Sequence, residues 1–285
     1  MTDSSKDALK TKEEDQKKQE TPDDPPMSAK EEWSEFAKTA FVAIVLALII
    51  RTFFFEPFNI PSGSMKPTLL VGDYLFVSKP AYGYSRHSFP FSLAPIEGRI
   101  WDEQPQRGDV IVFKLPSNPS VDYIKRIIGM PGDQIQVIGG QLYINGEPTV
   151  REALPLVRME EDGGSVTRHE YIETLPGGAT FHIYEDGHQH PLDNTPVFTV
   201  PGRHFFVMGD NRDNSMDSRV ESLVGFVPFE NIVGRADFLF FSVEEGNSIF
   251  EIWKWPWTIR TERLLGDIDP LRLEATEKKD PAESQ

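Results

Sequence analysis

The sequence predicts a mainly β protein, an antiparallel β-sheet domain behind one N-terminal transmembrane helix. Three observations carry this. From Gly72 onward, short runs of β-branched and aromatic residues alternate with Gly, Pro and Asn turn signals. No long amphipathic helix interrupts them. Ahead of them, an apolar run from Thr39 to Ile50, extended by Thr52-Phe53-Phe54-Phe55 and broken only by Arg51, approaches bilayer-spanning length.

The elements follow in order. Residues 1–32 are rich in Lys, Glu, Asp, Ser and Pro, with too little apolar surface to offset ordering entropy, which predicts a disordered tail. Residues 33–57 form the anchor, with Trp33 and Lys38 suited to one membrane interface. A cleavable signal peptide is the rival reading; the run lies far from the N-terminus, behind an acidic tail, and lacks a small-x-small site after it. The β domain spans 58–258. Its strands are expected at Tyr74–Ser78, Asp109–Lys114, Val121–Ile128, Gln134–Val137, Gln141–Ile144 with a turn at Asn145-Gly146, Thr180–Tyr184, His204–Met208 and Phe238–Phe241. The more polar stretch 154–199 is expected as an insertion carrying one or two hairpins, and 259–285 as a charged C-terminal tail. The tryptophans of Ile252-Trp253-Lys254-Trp255-Pro256-Trp257 suit either a core or a lipid headgroup region.

Composition removes several function classes. A net charge of −16 argues against phosphate-backbone binding, so no nucleic acid partner is expected. With no cysteine, thiol catalysis, disulfides and cysteine metal sites are excluded. His182, His188 and His190 could ligate a metal, but they fall in the polar insertion and read as a surface loop; no metal is expected.

The stretch Phe58-Asn59-Ile60-Pro61-Ser62-Gly63-Ser64-Met65-Lys66-Pro67-Thr68-Leu69 organises the rest. Prolines on both sides fix φ and remove amide donors, so a serine hydroxyl can be presented on irregular backbone. Apolar residues interleave with the polar ones, which a solvated linker does not need. A serine at its free pKa is a weak nucleophile and needs a base. None of the six histidines lies in a triad context, there is no Gly-x-Ser-x-Gly elbow, and Pro67 three residues after Ser64 rules out Ser-x-x-Lys. Lys125 shares a strand face with Val121, Tyr123 and Ile127, which predicts a buried amine, whether a snorkelling lysine or a base of lowered pKa. After the strand Phe205–Met208 comes Gly209-Asp210-Asn211-Arg212-Asp213-Asn214-Ser215-Met216-Asp217-Ser218-Arg219. Its carboxylates do not fit EF-hand spacing. Asp217 and Arg219 could pair to stiffen this loop, leaving Ser215 beside an amine.

Taken together, the apolar anchor, the Pro61–Leu69 block, Gly72-Asp73, Arg107-Gly108-Asp109-Val110, Tyr123-Ile124-Lys125-Arg126, Gly129-Met130-Pro131-Gly132-Asp133 and the 209–219 loop resemble bacterial type I signal peptidases, from about residue 37 to 240. The resemblance implies a serine endopeptidase that removes signal peptides, with Ser64 as nucleophile and Lys125 as general base. It makes Ser215 the residue that orients the lysine, Ser62 Oγ and the Ser64 N–H the oxyanion hole, Asp217 and Arg219 a supporting ion pair, and Gly209 the space for the lysine. Phe58, Ile60, Pro61, Met65, Leu69, Tyr123, Ile124 and Met208 would form an apolar pocket for small side chains of an Ala-x-Ala site, with substrate added as a strand beside 58–62. No cofactor is implied. The partners would be signal peptides of exported pre-proteins, membrane phospholipid and, by proximity, the export machinery. The enzyme would sit in the bacterial inner membrane as a single-pass protein with its catalytic domain on the periplasmic side. A related Ser–Lys protease, such as a self-cleaving repressor, is disfavoured by the span. A catalytically silent, membrane-anchored assembly factor is disfavoured by the intact Ser64, Lys125 and Ser215.

Overall fold

The computed structural model describes residues 29–89, 92, 94–161, 164–187 and 190–272. Of the expected disordered tail, residues 1–28 lie outside these, as do His188 and the last 13 residues, 273–285, whereas residues 29–32 are helical because they begin the helix that carries the apolar run. The chain divides into two units, Met1–Leu48 and Ile49–Gln285.

One helix, Ala29–Phe53, carries the apolar run. Its segment Glu32–Phe53 has a mean hydropathy of 2.0 and is long and apolar enough to span a bilayer. The helix stops short of the expected boundary at 57. Pro57 cannot continue a helix and biases the preceding residue toward extended backbone, and a strand already runs from Phe55 to Asn59.

That strand begins a seven-stranded antiparallel sheet. Phe55–Asn59 lies at one edge, followed by Asp73–Ser78, Ile232–Ser242, Val110–Leu115, Asn118–Gly129, His204–Met208 and Val227–Pro228 at the other. Its faces are packed by two clusters, one around Ile60, Met65, Leu69, Leu75 and Val112, the other around Ile111, Phe113, Ile127, Phe205 and Phe229. The alternation along each strand sends neighbouring residues to opposite faces, as with Ile111 and Val112. A four-stranded sheet contains Gln134–Ile138 and Gln141–Ile144. The second of these turns back at Asn145 and Gly146 into Glu147–Pro148, with positive φ at both turn residues (56° and 84°), the geometry for which Asn-Gly is favoured.

The 154–199 stretch is more than a surface insertion. Its strands Gly164–Thr174 and Ala179–Glu185 pair antiparallel, and Leu175, Ala179, Phe181 and Ile183 join Ile128, Phe206 and Met208 in a third core cluster. Thr180 and His182, which lend the segment its polar look, fall on the outward phase of the same strand. The expected charged tail also departs from expectation, up to Arg272. Arg263 and Arg260 reach the buried carboxylate of Asp73 at 2.6 and 3.5 Å, and Arg272 reaches that of Asp109 at 2.6 Å. The charges that suggested a solvated tail neutralise carboxylates in the Gly72-Asp73 and Gly108-Asp109 turns. Among the tryptophans, Trp255 packs on Phe241 with ring centroids 5.0 Å apart, whereas Trp253 and Trp257 are exposed alongside Phe250 and Ile252.

Candidate active site

Ser64 sits in a single 3-10 turn, Gly63–Met65, directly after extended Ser62. The turn is held from both sides. Met65 and Leu69 are fully buried beneath it. From the opposite loop, the Asn211 backbone N–H donates to the Ser64 carbonyl at 3.1 Å, and the Asn211 amide donates to the Gly63 carbonyl at 2.9 Å. Asp210 completes the strap, accepting from Thr68 at 2.5 Å and taking a two-pronged bond from the buried Arg126 at 2.8 and 2.7 Å. Asp210, Asn211, Thr68 and Arg126 therefore fix the serine, and reading the sequence assigned none of them a role. Thr68 and Asp210 lie 142 positions apart, so only the fold reveals them as one network.

Lys125 lies opposite, on Asn118–Gly129, paired across the sheet with Ile111. It is 4% exposed. Its Nζ donates to Ser64 Oγ at 2.7 Å and to the Ile124 carbonyl at 2.9 Å. Burial lowers its pKa from 10.5 to about 8, against the opposing pull of the Asp217 and Asp210 carboxylates. A second buried lysine, Lys79, makes a useful contrast. Its Nζ is paired with Glu56 at 2.9 Å and with the Arg51 and Ser88 carbonyls, and so is held as a structural cation.

Ser62 Oγ lies 3.4 Å from Ser64 Oγ. Asp217 and Arg219 form a buried ion pair with two 2.9 Å bonds, and Asp217 also accepts from the Gly209 N–H at 3.1 Å. Burial alone would raise the Asp217 carboxyl; the Arg219 guanidinium overrides it and holds the pKa below the usual carboxylate range.

One expected arrangement differs. Ser215 is buried, but among the described residues no hydrogen bond joins its Oγ to Lys125; the hydroxyl lies beside Asp217, whose carboxyl it helps to hold down, and the lysine is oriented by Ser64 and its own strand. Gly209 makes room for Ser215 and for the Ser64 backbone: an added Cβ would lie 2.3 Å from Ser215 Oγ and 2.4 Å from the Ser64 carbonyl oxygen. Both contacts are far inside van der Waals range, and one is backbone. Gly209→Ala is therefore expected to lower the kcat/KM of the site at least tenfold and stability by about 1–3 kcal/mol. Paired kinetics and thermal melts check this; unchanged values for both would show that the contact relaxes freely.

A cleft of about 370 Å³ opens on the pair, lined by Pro61, Ser62, Gly63, Ser64, residues 121–125, Asn214 and Met216. Of the eight expected pocket residues, Pro61, Tyr123 and Ile124 line it. Ile60, Met65, Leu69 and half-buried Phe58 pack in the core beneath the nucleophile turn, and Met208 in a different cluster with Phe206. They are apolar because they are core. Val121 and Met216, both exposed, supply the rest of the cleft's apolar surface. Two unpaired backbone edges border the cleft region. Phe55–Asn59 bonds only to Asp73–Ser78, and Asn118–Gly129 pairs with His204–Met208 only from Arg126 onward.

Comparison with known proteins identifies one family. The profile of the family described as "Signal peptidase, peptidase S26" matches residues 33–241. A signal peptidase I of Rickettsia conorii is 40% identical over 258 residues, covering 85% of this chain and 94% of the relative. One of Rickettsia typhi is 41% identical over 251 residues, covering 82% and 93%. A solved signal peptidase I from Enterococcus faecalis is 29% identical and covers 47% of this chain and 97% of its own, with a TM-score of 0.28, too low for structural argument.

Proposed function

The chain belongs to the signal peptidase family, peptidase S26, and we propose that it is a membrane-anchored endopeptidase that cleaves signal peptides after small residues through a Ser64–Lys125 dyad. The observation that carries this reading is the 2.7 Å contact between a serine held on a strapped turn and a buried lysine whose pKa is lowered to about 8. A lysine at 10.5 would be neutral in roughly one molecule in three thousand at pH 7; at about 8 it is roughly one in ten.

The neutral Nζ takes the proton from Ser64 Oγ as the oxygen attacks the scissile carbonyl, forming the tetrahedral intermediate. Ser62 Oγ and the Ser64 N–H then face the developing oxyanion. The lysinium passes its proton to the leaving amine, and a water activated by the same amine hydrolyses the ester. The substrate lies extended between the two unpaired strand edges, its main chain supplying the missing ladder bonds. Pro61, Tyr123, Ile124, Val121 and Met216 bound the space for its side chains, which favours an Ala-x-Ala site on steric grounds. In this reading the enzyme is a single-pass protein of the inner membrane with its domain on the periplasmic side, where exported pre-proteins emerge close to the export machinery; the helix segment Glu32–Phe53, long and apolar enough to span a bilayer, supports the anchor. Exposed Phe250, Trp253 and Trp257 suit contact with phospholipid headgroups.

The test is cleavage of an Ala-x-Ala peptide and of a peptide with Leu at the residue before the scissile bond, over pH 6 to 10. A single cut after the second alanine is expected, with kcat/KM at least 100-fold lower for the Leu peptide. The wild-type rate should rise about tenfold per pH unit below about 8 and then level off as Lys125 deprotonates. Equal rates on both peptides would sink the specificity, and a flat pH profile would sink the lysine base.

A further inference from the structure

Away from the dyad, His190, Asp193 and Asp213 each offer a ligand atom, all within 4.8 Å of one another. They come from two segments. His190 and Asp193 share a tight turn after Ala179–Glu185, closed by the His190 N–H donating to Asp193 Oδ2 at 2.8 Å and the Asp193 N–H donating to the His190 carbonyl at 3.0 Å. Asp213 belongs to the one-turn helix Arg212–Asn214, immediately before Ser215.

The Asp213 carboxylate is the informative group. Its side chain is 2% exposed. Oδ2 accepts from the Asp186 N–H at 2.7 Å, but Oδ1 is buried with no hydrogen-bond partner. Oδ1 faces His190 Nδ1 at 3.6 Å. The nearby Arg219 gives Oδ1 no hydrogen bond, because its side chain is committed to Asp217 and the Arg212 carbonyl. A carboxylate oxygen buried without a hydrogen-bond partner among the described residues, facing a ring nitrogen and with the largely buried Asp193 beside it, calls for a cation.

We propose that His190, Asp193 and Asp213 form a binding site for one divalent transition-metal ion, of which zinc is the best fit. Ligand atoms 3.6 Å apart subtend roughly 110–130° at an ion bonded to both at 2.0–2.2 Å, which suits tetrahedral zinc. One imidazole with two carboxylates favours such an ion over magnesium or calcium, which prefer all-oxygen shells. The His190 ring is 34% exposed, giving the ion a route in and an open fourth position for water. The ion would act as a clamp, not in the chemistry. It would fasten the turn at 190–193 to the short helix whose Asn214 lines the cleft.

The test uses the full chain without an affinity tag, in detergent, stripped with EDTA and titrated with Zn²⁺ alone. Uptake is measured by elemental analysis and calorimetry, and stability by thermal melting. Roughly one zinc per chain is expected, with the melting temperature raised by about 5–10 °C at saturating zinc. His190→Ala and Asp213→Asn should each weaken binding at least tenfold. Because Asp213 is buried and its variant could misfold, the partly exposed His190 carries the test independently. No uptake, or undiminished uptake in a folded His190→Ala chain, overturns the proposal. So does the pattern of a plain His190–Asp213 ion pair, in which the variants melt lower without metal and zinc changes nothing. Since the readout is metal uptake and not cleavage, the outcome is separate from that of the proposed peptidase activity.

Discussion

Replacing Lys125 with methionine is expected to lower kcat for peptide cleavage by about 10⁴-fold or more while raising the melting temperature at pH 7. Ser64→Ala should match the loss of activity without the gain in stability. The sign follows from linkage. The folded-state pKa of Lys125, about 8, lies below its ordinary 10.5, so between these values the unfolded chain holds the extra proton. Stability therefore rises with pH across that window and carries its full deficit below about pH 8, about 3 kcal/mol from the shift. Methionine fills similar volume without the amine. It loses the bonds to Ser64 Oγ and the Ile124 carbonyl, each about 0.5–1.5 kcal/mol, so the net gain is up to about 2 kcal/mol, or up to about 4–8 °C. Melts of both chains at pH 7 and at pH 10 decide the matter. The advantage of Lys125→Met should shrink at the higher pH; a variant destabilised equally at both would mean that the native lysine is not desolvated.

Asp217→Ala is expected to cost about 3–5 kcal/mol, because it leaves the Arg219 guanidinium buried without its partner. Both side chains are almost entirely inaccessible, at 0% and 1%, and water cannot replace the lost carboxylate. Asp217 also accepts the Gly209 N–H, so the variant frees the strand end from which Asp210 and Asn211 grip the nucleophile turn. Activity should fall along with stability. The double replacement Asp217→Leu/Arg219→Met removes both charges and should recover much of the stability, since well-packed apolar pairs often equal buried ion pairs. Urea unfolding of the three chains reads this directly. A single variant within 1 kcal/mol of the parent would show that the pair is solvated in solution.

The resemblance quoted from the sequence and the family membership found by comparison agree, and the reasons are local. Proline and glycine punctuation, the alternation around Lys125 and the apolar run ending near Phe53 all act within a few residues, so a reader of the chain can see them. The Asn145-Gly146 turn was legible for the same reason: its backbone demand is met by two adjacent residues.

Burial was harder to read, because an apolar residue serves equally as a pocket wall or as core. Ile60, Met65 and Leu69 sit beside Ser64 in sequence and were expected to meet substrate, but packing turned them inward, while exposed Met216 from a distant loop took a place in the cleft. Charged residues misled in the opposite direction. Arg260, Arg263 and Arg272 looked like a solvated tail until the fold brought them onto Asp73 and Asp109.

The sequence by itself determined the β class and an apolar segment long enough to span a bilayer, which depend on residue type and short-range periodicity, and the resemblance carried by its motifs singled out Ser64 and Lys125. Only the tertiary structure decided that Asn211, Asp210 and Arg126 hold the serine, that Gly209 accommodates Ser215, and that Asp213 faces His190. These are contacts between segments distant in the chain, and their energies exist only once packing has excluded water and fixed the distances between them.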